Sequence, residues 1–208
     1  MSEKTFTAEQ VIAATEEYYD GQNALGATVF PKKYAVRKRN TDVYLEETPH
    51  DMHVRLASEF ARIEYNYDNA TPYDTIFAAL ERFRYIVPQG SPMMGVGNDE
   101  YLTSLSNCLV VSNPADSITG IFQTAADMAN LFKRRCGVGA ALDELRPEGM
   151  HVNNAALTTT GAWSFADFFS RVVKKIGQNG RRGALMIGLD GRHPDAFKFA
   201  TMKADRTE

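Results

Sequence analysis

Cysteine is scarce in this chain. Cys108 and Cys136 are the only two in 208 residues, which excludes a disulfide-dense secreted scaffold as the source of stability. In a reducing compartment both are thiols by default, and the ordinary role of such a residue is that of a small buried hydrophobe. Long apolar runs are missing as well: nothing approaches the roughly eighteen consecutive apolar residues of a membrane-spanning helix. The polar opening "MSEKTFTAEQ" lacks the cationic-then-apolar order of a secretory signal. A cytoplasmic location without a membrane partner is expected. Charge of one sign is absent too, since the formal net charge is -3 with 44% hydrophobic and 24% charged residues. Such a balance gives no field to hold nucleic acid or a bilayer, so any anion site must be local.

Several catalytic signatures are also lacking. Gly137-Val-Gly139 follows a helical pattern rather than a strand and has no third glycine at dinucleotide-binding spacing. No Gly-Lys-Ser or Gly-Lys-Thr closes a phosphate loop, and no nucleophile elbow supports Ser/His/Asp catalysis. The four histidines, His50, His53, His151 and His193, are scattered, so no metal site is expected.

What is present reads as one continuous chain without repeats or low-complexity linkers. Thr7 and Gln10 have capping-box spacing ahead of Val11, Ala14 and Tyr18, predicting a helix that ends near Gly21. Thr48-Pro49 opens a second helix with Met52, Leu56, Phe60 and Ile63 on one face, and Thr71-Pro72 a third that buries Ile76, Leu80 and Phe83. The segment "VPQGSPMMGVGNDEY" is rich in proline and glycine and is expected to hold no regular element. Beyond it, "SNCLVVS" reads as a short buried strand. Ile121, Ala125, Met128, Leu131 and Phe132 form a helical stripe that should end in a basic turn and Gly137. A helix over 164–176, a fully buried strand in "GALMIGLD" and a short helix begun by Pro194 complete an α/β rhythm. The expected division is a mainly helical region over 1–87 and an α/β region over 88–208.

Two stretches concentrate polar chemistry. "QNGRRGALM" and "LRPEGMHVNNAALTTTG" each supply arginine, glycine and amide side chains, which together grip phosphate and read a base edge. Arg181 and Arg182 also stand at the end of a predicted helix, where cations favour its dipole without any ligand. On residue types alone both readings stand.

Longer strings settle on a family. "SNCLVV", "PADSITGIF", "KRRCGVGAALDELRPEG", "NNAALTTTGA", "GQNGRRGALM", "HPDAFKF" and "KADRT" resemble, in order and spacing, the large catalytic subunit of ribonucleotide reductase. The upstream "ETPHDMHVRLASEFARIE" and "VPQGSPMMGVGN" are similar to its N-terminal region, so the likeness covers almost the entire chain. The resemblance implies a helical region followed by the first portion of a ten-stranded α/β barrel. It also implies replacement of a ribose 2'-hydroxyl by hydrogen through thiyl-radical chemistry. Cys108 matches the first-strand cysteine that becomes half of a disulfide during turnover, later restored by thioredoxin or glutaredoxin. Ser91, Asn107 and Gly137 match positions lining the ribonucleotide. Cys136 stands beside them where relatives carry a small residue, so it is either packing or an additional oxidisable thiol.

For the deoxynucleoside triphosphate effector, the resemblance implies Asp116 and Ser117 near base and sugar, and Arg146 on phosphate. Asn153 and Asn154 fall in an adjoining loop, and Gln178, Arg181 and Arg182 in the loop that relays effector identity to the substrate base. The family's radical cysteine and second redox cysteine find no match before "KADRTE", and no activity-control module is recognisable ahead of the first helices. A split enzyme is therefore expected, its barrel completed by a separate C-terminal chain. It would pair with a second large subunit through helices 121–136 and 164–176. No cofactor is expected on this chain: a metal-containing small subunit is the favoured radical source, with adenosylcobalamin as the other. The competing expectation is a non-catalytic nucleotide-sensing or inhibitory fragment, and a functionless product of an interrupted gene is a third.

Overall fold

The computed structural model describes residues 4–176 and 183–204, and the chain divides into two compact units, 1–107 and 108–208. The first unit is helical. It comprises α1 (Ala8–Tyr18), α2 (Ala24–Lys33), α3 (Pro49–Glu64), α4 (Tyr73–Leu80), a 3-10 turn (Glu81–Phe83) and α5 (Gly90–Gly95). The expected capping box is formed at α1: Thr7 N–H donates to Gln10 Oε1 at 2.8 Å and Gln10 N–H to Thr7 Oγ1 at 3.3 Å. At the start of α3, Asp51 Oδ2 accepts from the N–H groups of Glu47 (2.8 Å) and Thr48 (3.0 Å), with Pro49 at the first helical position.

Four expectations for this unit need correction. α2 had no counterpart in the sequence reading; Asn23 caps it by accepting from Gly26 N–H at 2.8 Å. On α3, Met52 and Leu56 are buried, but Ala57 and Ala61 complete the buried surface while Phe60 and Ile63 are more than a third exposed. The helix of Ile76 and Leu80 stops before Phe83, because Arg82 and Phe83 both adopt left-handed backbone, φ 54° and 55°. The proline- and glycine-rich segment does hold a regular element. Pro92 lies in the first turn of α5, where backbone N–H groups have no intrahelical acceptor and proline is tolerated.

The second unit is an α/β run: β1 (Cys108–Val110), α6 (Ile118–Phe132), β2 (Gly137–Ala141), α7 (Ala162–Lys175), β3 (Leu185–Gly188) and α8 (Ala196–Thr201). The three strands are parallel in the order β1-β2-β3, with Cys108 beside Gly137 and Gly139 beside Met186. β2 was not expected. Its residues GVGAA carry only one β-branched side chain, and the glycines read as a helix stop. The stop is made earlier: Arg135 takes the left-handed position (φ 68°) that glycine usually fills, and Cys136 N–H donates to Leu131 O at 3.2 Å.

One face of this sheet is covered. Val138, Ala140 and Leu142 pack with Ile121, Met128 and Phe132 of α6 and with Ala166, Phe169 and Val173 of α7. Strand alternation turns Cys108, Val110, Gly139 and Met186 to the other face. A Cβ built on Gly139 would lie 3.8 Å from Val110 Cγ2, which places them side by side there. β1 and β3 are consequently not the buried strands expected, since Val110 is 85% and Met186 77% exposed.

Candidate functional site

Substrate-side candidates occur in both units. In the first, Ser91 is buried in α5 and its N–H donates to Asn107 Oδ1 at 2.7 Å. The α5 segment is anchored by Arg55, whose guanidinium donates to Met93 O at 2.8 Å, to Val96 O, and through Nε to Glu46 Oε1 at 2.7 Å. Glu46 in turn accepts from Val36 N–H at 2.8 Å. Burial raises the Glu46 carboxyl above the ordinary glutamate value, and the Arg55 charge opposes that rise. This buried pair had no signal in the sequence, because the eight intervening residues include a helix start.

In the second unit Cys108 opens β1 and is exposed, whereas Cys136 is fully buried with its S–H directed at Gly137 O, 3.1 Å away. Neither is in a disulfide. Gly137, the register partner of Cys108, leads β2 without a side chain, leaving room beside the thiol on the open face.

The effector-side candidates cluster around the start of α6. Ser117 caps that helix by accepting from Gly120 N–H at 3.1 Å. Asp116, one residue earlier, accepts from Arg146 twice, from Nε at 2.6 Å and from the backbone N–H at 3.3 Å. Arg146 Nη1 donates to His151 O at 2.9 Å, which leaves its Nη2 group without a partner among the described residues. Asn153 and Asn154 occupy the tip of a hairpin closed by bonds from Thr159 N–H to Met150 O (3.0 Å) and from Val152 N–H to Leu157 O (2.9 Å). Asn154 Oδ1 accepts from Ala156 N–H at 2.9 Å. Asp116, Ser117, Arg146 and the hairpin are thus gathered, with a fixed guanidinium beside a carboxylate. Gln178, Arg181 and Arg182 lie outside the described residues.

The sequence reading passed over three residues of this neighbourhood. Asp195, only 4% exposed, accepts from Glu148 N–H and from Ala162 N–H, and His193 touches Leu145 O. Glu148 accepts from Trp163 Nε1 at 3.0 Å and from Lys198, and these bonds hold its carboxyl below the ordinary glutamate value. His193 and Asp195 lie in the "HPDAFKF" string and Glu148 in "LRPEG", strings that marked the family while these residues carried no assigned role. Among the described residues no group of three or more His, Cys, Asp or Glu side chains is gathered as metal ligands.

A parallel strand-helix-strand-helix-strand run with a thiol on its first strand is an α/β fold. Residues 106–208 match the family model for ribonucleotide reductase, barrel domain. The chain is 35% identical over 130 residues to a vitamin B12-dependent ribonucleoside-diphosphate reductase of Mycobacterium tuberculosis, covering 62% of this chain and 18% of that protein. A protein of the same description from Thermoplasma acidophilum is 35% identical over 132 residues, 63% of this chain and 16% of that one. The ribonucleoside-diphosphate reductase large chain of Cryptosporidium parvum is 30% identical over 101 residues, 48% of this chain and 13% of its own. In three dimensions the chain is similar to the class Id ribonucleotide reductase alpha subunit of Actinobacillus ureae. The TM-score is 0.61 at 20% identity, over 83% of this chain and 29% of that one, and the likeness is one of fold. Residues 106–208 belong to the ribonucleotide reductase barrel-domain family, and the relatives named above are ribonucleoside-diphosphate reductases, which are oxidoreductases. It spans less than a fifth of the length of the curated relatives described here.

Proposed function

We propose that this chain is the N-terminal portion of a ribonucleotide reductase catalytic subunit, which reduces ribonucleotides to deoxyribonucleotides and is regulated by deoxynucleoside triphosphates. The observation that carries the reading is the position of Cys108. It opens the first strand of a parallel sheet, exposed and next to a glycine, on the face that the helices leave uncovered. In this reading two thiols lose two electrons and two protons and become a disulfide, while the ribose C2' carbon gains hydrogen and its hydroxyl leaves as water. Cys108 supplies one thiol, and thioredoxin or glutaredoxin restores the pair by exchange. Ser91, Asn107, Cys136 and Gly137 line the ribonucleotide.

The remaining barrel strands we assign to a C-terminal partner chain that closes over the open face and completes a ten-stranded α/β barrel. The functional division keeps 1–87 as a helical region and 88–208 as the first part of the barrel. The exposed Val110 and Met186 support such a cover, because an apolar sheet face in water is a surface built to be buried. Exposed Ile118 and Phe122 on α6 support pairing with a second large subunit. Asp116, Ser117, Arg146, Asn153, Asn154, Gln178, Arg181 and Arg182 we assign to the effector.

The radical arises outside the described residues. The sequence favoured a metal-containing small subunit. The vitamin B12 dependence named for two relatives at 35% identity supports adenosylcobalamin, which would supply a carbon radical able to abstract hydrogen from a thiol. A cytoplasmic location fits this chemistry, and no helix among the described residues is long and apolar enough to cross a membrane.

The test is to purify the chain with its candidate C-terminal partner and assay deoxynucleotide formation, with adenosylcobalamin or with the small subunit. Turnover that needs both chains and Cys108 is the expected result. A chain that binds a deoxynucleoside triphosphate yet never supports turnover would establish the nucleotide-sensing fragment instead.

A further inference from the structure

We propose that His193 and Asp195 form a clamp that fixes Arg146, acting as positioning residues for the effector phosphate; the inference rests on the assignment of Arg146 made above. Asp195 receives backbone N–H donors from two distant segments. Glu148 N–H lies 3.1 and 3.2 Å from its two carboxylate oxygens, and Ala162 N–H, the first residue of α7, lies 2.8 Å from Oδ2. His193 Nε2 is 2.8 Å from Leu145 O, and its Nδ1 accepts from Asp195 N–H at 3.0 Å. A carbonyl oxygen only accepts, so Nε2 carries the proton and the two contacts together require one neutral tautomer.

Leu145 and Glu148 flank Arg146-Pro147, so the backbone under Arg146 is gripped on both sides by a single turn. On its other side the Arg146 guanidinium meets Asp116 and His151 O. The site is built tightly around the carboxylate. Gly161 adopts φ +87°, and a Cβ there would approach Glu148 N to 2.7 Å as well as overlapping Asp195. A carboxylate only 4% exposed is expensive to bury without donors. Here the donors belong to the arginine loop and to the start of α7, so the same buried group holds both in place. Clamping lowers the ordering cost that effector binding would otherwise meet at Arg146.

The test uses the full chain and isothermal titration with dTTP, dGTP and dATP, on wild type, Arg146→Ala, Asp195→Asn, His193→Ala, His193→Gln and the double variants with Arg146→Ala. Asp195→Asn and His193→Ala are expected to weaken binding roughly tenfold, and neither should weaken it further once Arg146 is gone. His193→Gln keeps a donor for Leu145 O and should restore most of the affinity lost in His193→Ala, an outcome that general loosening of the fold would not produce. If Asp195→Asn does not fold, the two His193 variants and their cycle with Arg146→Ala decide alone. Losses that multiply in the double variants, or single variants that bind like wild type while Arg146→Ala does not, overturn the clamp and leave the effector reading intact. A wild-type chain that binds none of the three nucleotides overturns both.

Discussion

Asp116 and Arg146 are separated by thirty positions in sequence and by 2.6 Å between Oδ2 and Nε. The pair is about one-third exposed on each side, so its net contribution to stability should stay within about 1 kcal/mol. Under the effector assignment proposed above, Arg146 serves the ligand phosphate rather than the stability of the fold. Arg146→Ala is therefore expected to weaken deoxynucleoside triphosphate binding by at least tenfold in titration calorimetry, leaving a measurable residual affinity, while the urea midpoint changes little. A large fall in stability with unchanged binding would mark the pair as structural.

Cys108 stands at the entrance of β1, exposed and opposite Gly137. In the completed enzyme Cys108→Ser should leave substrate binding and far-ultraviolet circular dichroism unchanged and remove multiple turnover, because the disulfide that balances substrate reduction no longer forms. Rapid quench against reducing agent checks it. Sustained turnover by the serine variant would take the redox role away from this residue.

Glu46 and Arg55 carry the largest electrostatic stake in the helical unit, both nearly buried and 2.7 Å apart. Arg55→Met strands the carboxylate and frees Met93 O and Val96 O, so a loss of about 3–5 kcal/mol is expected in urea unfolding. The pH dependence has a definite sign. Burial raises the Glu46 pKa above its value in the unfolded chain, so between those two values the folded state binds more protons and stability falls as pH rises. Without Arg55 the rise is larger, and the deficit of the variant should widen from pH 4 to pH 8. Equal deficits at both ends would show that Glu46 escapes to water.

His53 gives the opposite slope. Its ring is fully buried against Phe83, with Glu81 Oε2 3.6 Å from Nδ1, and burial lowers its pKa despite that carboxylate. The unfolded chain then binds more protons between the lowered value and 6.5, and stability is lost as pH falls through that window. His53→Leu should flatten the fall in stability between pH 7.5 and pH 5.5, read from urea unfolding at the two pH values. An unchanged pH profile would show that His53 does not carry the slope.

The elements legible in the sequence are those whose signals are local. Thr7 with Gln10, and Thr48 with Pro49, announce helix starts because these signals lie within one turn. The stripe from Ile121 to Phe132 is read from its period, and Ile121, Ala125, Met128 and Phe132 are buried with Leu131 partly so. β2 was illegible because a parallel strand between two neighbours is held by its ladder, so "GVGAA" needs little side-chain propensity. The candidate site divides in the same way. Asp116 was named through family resemblance alone, and Arg146 was a phosphate candidate by residue type without a partner, since a 30-residue separation has no periodic signature. Asp195 was missed because its partners are backbone N–H groups, which any sequence supplies.

The open face of the sheet yields the last prediction. Val110 and Met186 flank Gly139 on the side away from α6 and α7, and both are mostly exposed. If a C-terminal chain closes over them, a charge there has opposite consequences for the chain alone and for the complex. Met186→Lys removes apolar surface from water in the isolated chain and should reduce its self-association by size-exclusion chromatography with light scattering. In the complex the ammonium would have to be buried without a partner, a cost of several kcal/mol, and co-purification with the C-terminal chain should fail. A surface open to solvent in the working protein would tolerate the lysine in both settings. Retention of the complex together with improved solubility would therefore rule out this face as the seat of the partner.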